Sequence, residues 1–270
     1  MKVRYENGNT LLHSLNPVTK LTVLVLYSIS VFMFDSLPVL LGSFIFMGMI
    51  VMGGRLRSIV SLMTSRFMIS FAVVIFVIQV LFTRGGETYF SLPLYFFTID
   101  VTSVGMLTGL IVMFRFITII LASGIFVATT DPNELAYSLM RAGLPYRYGF
   151  MLVTAIRFIP VFESEANTVS MAQRARGLEI DGGGMKNVIR SAKYTLMPLV
   201  VSALSKVDVL VISMEGRAFG HKRSRTFLRQ GRFGVADISM IVLSIAVFII
   251  MVLAIKLGWI ALPQLSIYNN

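Results

Sequence analysis

The chain contains no cysteine and only two histidines among its 270 residues. The absence of cysteine excludes disulfide bonds and thiol chemistry. Because cysteine and histidine are the residues that most often bind transition metals, the sequence predicts no metal site. His13 and His221 lie outside the long apolar runs and lack the spacing of metal ligands. We therefore interpret both as plain surface or interface residues.

Charged residues are also scarce. They make up 14% of the chain, whereas an average globular domain has about 25%. Hydrophobic residues reach 56%, and several apolar runs approach the roughly 20 residues that cross a bilayer as a helix. The sequence thus predicts an all-α membrane protein with about five transmembrane helices plus cytoplasmic amphipathic coupling helices. We expect no signal peptide, since the first apolar run starts late and lacks a small-residue cleavage site.

The charges that are present are mostly basic, with a formal net charge of +11. Lysine and arginine accumulate on the cytoplasmic side of membrane proteins, so we do not interpret this excess as a nucleic-acid interface. The basic tract at 221–232 is expected to bind anionic lipid, and the aromatic-rich stretch 83–102 to form a loop at the membrane interface. The basic loops place the N-terminus in the cytoplasm and the C-terminus outside a multi-pass cell membrane protein. The predicted spans are 18–34, 37–52, 67–82, 105–127 and 238–257.

These spans define three expected regions. Residues 1–128 form a four-span transmembrane bundle with a cytoplasmic N-terminus. Residues 129–235 form a cytoplasmic coupling-helix region. It opens with a short helix that has Asp131 as its N-cap and Pro132 in its first turn. Residues 236–270 form the last transmembrane helix and an extracellular tail.

One charged residue interrupts a predicted span. Arg115 lies in the middle of the fourth helix, where a bare arginine costs roughly 2.5–3.5 kcal/mol. We interpret Arg115, together with Arg157, as a structural residue facing the bundle; a functional relay at Arg115 is the alternative. Gly105 and Gly109 on the same helix form a small-xxx-small pair, which predicts close helix packing.

Two long helices are predicted in the coupling region. The first begins near Pro145 and the second follows the three glycines at 182–184. Both are amphipathic, and the second has a seam that we expect to face the first. The predicted apolar stripe of the first helix is Met151, Ala155, Phe158, Phe162, Ala166 and Val169, with Arg157, Glu163, Glu165, Asn167 and Arg174 opposite. The seam of the second is Leu196, Val200, Ala203, Val207, Leu210 and Met214.

Each long helix ends in an arginine flanked by small residues. We call Ala175-Arg176-Gly177 the first arginine tip and Glu215-Gly216-Arg217-Ala218 the second. A guanidinium is a rigid planar donor suited to carboxylates and helix-end carbonyls, and small neighbours let a partner's backbone approach. The alternative is that each arginine only offsets the helix dipole. Two ends of similar design favour docking to a partner.

These motifs resemble those of the transmembrane T component of energy-coupling factor (ECF) vitamin and metal importers. The second signature of that family is usually Ala-Arg-Gly after Met-Glu; here Met214-Glu215 is kept and the small residues on either side of Arg217 are exchanged. The resemblance covers nearly the whole chain. The residues that carry it are the opening pattern at 8–20, Thr129-Thr130-Asp131-Pro132, Gly143-Leu144-Pro145, Arg157-Phe158-Ile159-Pro160 and Ala175-Arg176-Gly177.

The resemblance implies a non-catalytic scaffold without a cofactor of its own. Two cytoplasmic ABC-type ATPase subunits, which bind ATP and magnesium, would each receive one arginine tip, and a substrate-binding membrane subunit would pack on the coupling helices. The sequence agrees in having no GxxxxGK[ST] phosphate loop. A stand-alone secondary transporter is the alternative, but it calls for ionisable residues or broken helices at mid-membrane, and only Arg115 qualifies. An intramembrane enzyme would need clusters of acids or histidines inside the spans, which the sequence lacks.

Overall fold

The structure is a computed structural model that describes residues 11–54, 56–83, 85–93, 98–177, 185–220 and 234–257. The described chain divides into two compact units, one comprising 1–138 with 231–270 and the other 139–230. The described helices are α1 (Leu11–Ser14), α2 (Pro17–Met33), α3 (Leu37–Gly53), α4 (Arg57–Met63), α5 (Arg66–Phe82), α6 (Ser103–Thr129), α7 (Pro132–Arg141), α8 (Tyr146–Ala175), α9 (Met185–Glu215) and α10 (Val235–Lys256). The opening residues 8–10 of the family pattern, the glycines at 182–184 and the basic tract at 221–232 lie outside the described residues.

Local capping chemistry sets where helices begin. Asn16 precedes α2, and its side-chain oxygen accepts the backbone N–H of Val18 at 3.0 Å, with Pro17 in the first turn. Asp131 does the same for α7, where its Oδ1 accepts the backbone N–H of Asn133 at 2.7 Å. Both arrangements satisfy an N–H that has no partner within the helix. The predicted cap at Asp131 is confirmed.

The first unit is a helical bundle whose core lies between α3, α4 and α6. Its most deeply buried large side chains include Leu40, Leu56, Ile59 and Leu121. Helix α4 was not predicted, because residues 53–66 were interpreted as a basic loop. Many apolar side chains on α5 and α10 are exposed in the chain alone, as expected where lipid is the solvent.

Gly105 and Gly109 mark the contact between α5 and α6. A Cβ at Gly109 would come within 3.1–3.2 Å of Phe76 and Val80. One at Gly105 would come equally close to the backbone oxygens of Val80 and Thr83, at the end of α5. Both glycines are buried. Their absence of side chains lets the two helices approach closely, which confirms the packing prediction.

The stretch between α5 and α6 contains a β-hairpin where a loop was predicted, and its predicted place at the membrane interface stays a prediction. Strand β1 (Thr88–Pro93) pairs antiparallel with β2 (Thr98–Thr102), with an irregular register between Thr88 and Phe90. Thr102 then begins α6: its hydroxyl donates to the carbonyl of Thr83 at 3.2 Å and accepts the N–H of Gly105 at 3.1 Å. The hairpin and the start of α6 are thereby joined to the end of α5.

Three described helical segments are long and apolar enough to cross a membrane by length and composition, namely Ser103–Thr129, Ala192–Glu215 and Val235–Leu253. Three further apolar helices, α2, α3 and α5, have 17 residues each. The all-α membrane class is therefore confirmed. The segment in α9 also meets the criterion, so its assignment to the cytoplasm and the count of five spans stay predictions.

Candidate coupling site

Helices α8 and α9 pack against each other as an antiparallel hairpin within the second unit. The ring of Phe219, just after α9, lies 4.5 Å from the ring of Phe150 near the start of α8. Midway along α8, Glu165 contacts Lys206 of α9. The residue numbers on one helix rise as those on the other fall, which requires opposite directions. Arg176 lies at the far end of α8, so the rise of about 1.5 Å per residue places it roughly 40 Å from Phe219.

Glu165 supplies the polar contact between the two helices. Its carboxylate accepts a hydrogen bond from the Ser202 hydroxyl at 2.7 Å and another from the Lys206 ammonium at 2.9 Å. Both hydrogen bonds lower the pKa of the Glu165 carboxyl, and the bond from Ser202 has the larger effect. Glu165 was predicted to lie on the polar side of α8, opposite the apolar stripe, and this was wrong. Periodicity of apolar residues could not reveal a contact made by polar ones.

The seam of α9 is correspondingly rotated from its predicted position. Ala203, Leu210 and Met214 are half-buried as expected, but Val200 and Val207 are exposed. Leu196 is also exposed. On α8 the predicted stripe holds from Phe158 to Val169, whereas Met151 and Ala155 are exposed; the half-buried members are Phe158, Phe162, Ala166 and Val169. The face of α9 that includes Ser202 and Lys206 turns toward α8 and displaces part of the apolar seam.

The first arginine tip is the end of α8. Arg176 is the C-cap residue, and its backbone N–H lies 3.3 Å from the carbonyl of Ala172 and 3.1 Å from that of Gln173. Gly177 follows with φ +84° and donates its N–H to the carbonyl of Arg174 at 2.9 Å. Because a left-handed residue closes the helix here, glycine is favoured at this position.

The second arginine tip closes α9 with a Schellman motif. The N–H of Phe219 donates to the carbonyl of Met214 at 2.9 Å, and the N–H of Ala218 to that of Glu215 at 2.9 Å. Ala218 occupies the left-handed position with φ 51°, where the first tip has glycine. The exchange of small residues around Arg217 thus moves a Cβ into a conformation that L-residues seldom adopt.

Both tips present their arginines to the exterior of the chain. All seven residues, Ala175, Arg176, Gly177, Glu215, Gly216, Arg217 and Ala218, are exposed. Neither guanidinium has a hydrogen bond or an ion pair with any residue that the structure describes. Phe219 behind the second tip packs on Phe150 and, at 5.9 Å between ring centroids, on Tyr146. Within the described residues, the geometry offers two exposed cationic donors at opposite ends of one helical hairpin.

The two remaining arginines of interest differ in environment. Arg115 lies in α6 with its side chain 13% exposed; its Nη2 contacts the Asp35 carboxylate and donates to the carbonyl of Phe34 at 2.6 Å. Asp35 lies just beyond the first predicted span, so a survey confined to the spans missed it. Arg157 is exposed on α8, and its expected role facing the bundle stays a prediction.

Comparison with known proteins gives these features a context. The family model described as cobalt transport protein, CbiQ, matches residues 8–228. The chain is 27% identical over 269 residues to the energy-coupling factor transporter transmembrane protein EcfT of Streptococcus equi, covering 97% of this chain and 96% of that one. It is 30% identical to EcfT of Lactococcus lactis, over 93% of this chain and 95% of the relative. EcfT of Limosilactobacillus fermentum is 34% identical over 57% of this chain and 59% of its own.

The family match spans most of the chain and includes both arginine tips, and the relatives from Streptococcus equi and Lactococcus lactis are covered almost end to end. The relatives are named as transmembrane components of transporters, and the apolar helices agree with a place in the cell membrane. The chain belongs to the CbiQ family and is a non-catalytic membrane subunit, the T component, of an energy-coupling factor transporter.

Proposed function

We propose that this subunit couples ATP hydrolysis by two cytoplasmic ATPase subunits to movement of a substrate-binding membrane subunit during uptake of a vitamin or metal. The observation that carries the proposal is the pair of exposed helix-end arginines, neither of which has a partner among the described residues. Offsetting the helix dipole requires only a cation near the end of the helix. It does not require that both arginines be exposed and flanked by small residues. A guanidinium offered to a second chain gains bidentate hydrogen bonds to carboxylates or carbonyls.

The separation of the tips supports two partners rather than one. The tips lie roughly 40 Å apart along the hairpin, as the rise of about 1.5 Å per residue requires, which is about the diameter of a small domain or more. One compact domain would have to extend past the whole length of α8 to touch both. Two ATPase subunits, each holding one tip in a groove, match this spacing. ATP and magnesium would be bound in those subunits, and this chain would need no cofactor.

The hairpin also offers a means of transmitting motion. If the two ATPase subunits approach or separate when they bind and hydrolyse ATP, the forces act on opposite ends of α8 and α9. The exposed apolar faces of these helices, which include Met151, Ile159, Val201 and Ile212, would carry the substrate-binding subunit. The proposed orientation has the N-terminus and the coupling helices in the cytoplasm and the C-terminus outside.

Capture of the ATPase pair by the purified subunit tests the proposal. We expect Arg176→Ala and Arg217→Ala each to weaken capture by about thirtyfold if each arginine is a hot spot of roughly 2 kcal/mol. We expect the double variant to lose both capture and ATP-dependent uptake. Arg157→Ala, which removes an exposed arginine in the middle of α8, serves as the control and should capture normally. Lysine at both tips should restore charge but not full affinity, because it lacks the planar fork.

The opposite result has an equally definite meaning. If the double alanine variant still captures the ATPases and supports uptake, the arginines are helix caps only. If uptake proceeds with no ATPase subunit present, the chain acts as a stand-alone secondary transporter. Either outcome would overturn the coupling role proposed for the two tips.

A further inference from the structure

A cavity of about 500 Å³ lies within the first unit, among α2, α3, α6 and α10. Its wall follows α2 from Thr19 to Phe34, a length of roughly 22 Å at about 1.5 Å per residue. Nearly all of the lining is apolar. A lipid acyl chain occupies one leaflet, about half of the roughly 30 Å hydrocarbon core, so the cavity is long enough to accept one. A ligand that fills it must be mainly hydrocarbon.

One end of the cavity is polar. Thr19, Lys20 and Thr129 line it where α2 begins and α6 ends. Thr19 is fully buried, and its Oγ1 has no hydrogen-bond partner in the described part of the chain. A buried hydroxyl without a partner is unusual in a folded protein, because the loss of its hydration is not offset by a hydrogen bond. Lys20 donates one hydrogen bond, to the Thr129 carbonyl at 2.8 Å, although an ammonium group has three donors.

Charges of both signs surround this polar end. The carboxylates of Glu134 and Asp237 lie close enough to interact with the Lys20 ammonium. Asp237 is buried, and its two oxygens accept the backbone N–H groups of Asn16 at 2.7 Å and Gly234 at 2.8 Å. Glu134 is exposed. A purely anionic headgroup would meet two carboxylates, whereas a zwitterionic one can place its phosphate near the lysine and its ammonium near the acids.

We propose that this cavity binds one zwitterionic phospholipid, such as phosphatidylethanolamine. One of its two acyl chains lies along α2 between α3 and α10, and its ester and phosphate oxygens accept hydrogen bonds from the Thr19 hydroxyl and the Lys20 ammonium. The bound lipid fills the space between α10 and the rest of the bundle. This site is separate from the arginine tips and does not depend on the coupling role proposed for them.

Two glycines on α3 provide a matched test. Gly42 lines the cavity, and an added Cβ there would meet no atom within 4 Å. Gly48 lies on the same helix with equally free space around an added Cβ, but it does not line the cavity. Gly42→Leu should therefore fill the cavity with little strain, while Gly48→Leu makes the same chemical change outside it.

The measurement is the phosphatidylethanolamine that stays bound after purification in mild detergent, quantified by native mass spectrometry. We expect wild type and Gly48→Leu to retain one lipid per chain, and Gly42→Leu to lose it by roughly tenfold or more, since the apolar contacts of the chain are blocked. Thr19→Val, which preserves shape and removes the hydroxyl, should weaken retention several-fold. Equal retention in all four proteins, or no retained lipid in wild type, overturns the proposal.

A second measurement keeps the test decisive if Gly42→Leu does not fold. Wild type in bilayers is exposed to phosphatidylethanolamine carrying a diazirine at the end of its acyl chain. Cross-links concentrated on the cavity-lining sides of α2, α3 and α10 support the site. Labelling that is as strong on α5, which does not line the cavity, as on these three helices overturns it. If Gly42→Leu instead loses a partner subunit while its lipid content is unchanged, the cavity holds a protein segment and the lipid assignment is wrong.

Discussion

Replacing Ala218 with glycine should stabilise the end of α9. Ala218 is held at φ 51° in the left-handed position of the Schellman motif, where its Cβ approaches the following carbonyl oxygen. At the same position of the first tip, Gly177 adopts φ +84° without that contact. The Ala218→Gly change removes the Cβ and leaves both hydrogen bonds of the motif intact.

The size of the effect follows from two opposing contributions. A non-glycine residue in the left-handed conformation costs about 1–2 kcal/mol. Glycine gives the unfolded chain more freedom, which offsets about 0.4–1 kcal/mol of the gain. The net stabilisation of the last turn is therefore about 0.8 kcal/mol, which corresponds to about fourfold in an opening equilibrium.

Amide hydrogen exchange of the purified subunit measures this directly. The N–H groups of Ala218 and Phe219 donate to Glu215 and Met214, each at 2.9 Å, and they exchange when the motif opens. We expect the segment to exchange about fourfold more slowly in Ala218→Gly. The reverse change, Gly177→Ala, should speed exchange at the end of α8 by a similar factor. Exchange that is unchanged or faster in Ala218→Gly would refute the assignment of strain to Ala218.

Three further perturbations test individual contacts. Because the folded-state pKa of Glu165 is lowered, the stability it contributes is present above the unfolded pKa and lost as the pH falls through the folded pKa. Acidification should therefore speed amide hydrogen exchange in the packed parts of α8 and α9 of wild type. Wild-type exchange with the same pH dependence as that of Glu165→Gln would contradict this. Asp35→Ala should lower the free energy of unfolding by about 2 kcal/mol, a value reduced by solvent screening because Asp35 is 34% exposed. Adding Arg115→Met should recover most of this stability in thermal melts. Additive losses would show that the two side chains do not act as a pair. Gly149→Ala places a Cβ 2.0 Å from the Met140 Cγ and should destabilise by about 1–3 kcal/mol, with rescue by Met140→Ala, whereas equal losses in both backgrounds would argue against the contact.

The starts of α2 and α7 and the end of α8 could be predicted from the sequence, because local residues determine them. Asn16-Pro17 and Asp131-Pro132 combine a capping side chain with a proline that needs no N–H partner, and both helices begin there. Gly177 closes α8 for the same kind of local reason, since glycine adopts the left-handed conformation without steric cost. Each of these signals lies within a few residues of the feature that it specifies.

Contacts between distant segments could not be predicted in the same way. Asp35 and Arg115 are 80 residues apart in sequence, and nothing in either neighbourhood identifies the other. The rotation of α9 has the same origin, because Glu165 hydrogen-bonds Ser202 and Lys206, and apolar periodicity assigns no weight to such groups. The β-hairpin was missed because its aromatic residues suit a strand as well as an interfacial loop.

The coupling role proposed for the two arginine tips does not require that the two helices support them in the same way. Arg176 follows Pro160 by 16 residues and Arg217 follows Pro198 by 19, so the two helices are not copies in register. The turn that carries Arg217 is held by Phe219, whose ring packs on Tyr146 and Phe150. Among the described residues, the first tip has no aromatic contact of this kind. What the tips share is an exposed guanidinium at the closing turn of a long helix. The docking role proposed for the tips accounts for this likeness better than internal duplication does, because duplication would have preserved the spacing and the packing as well.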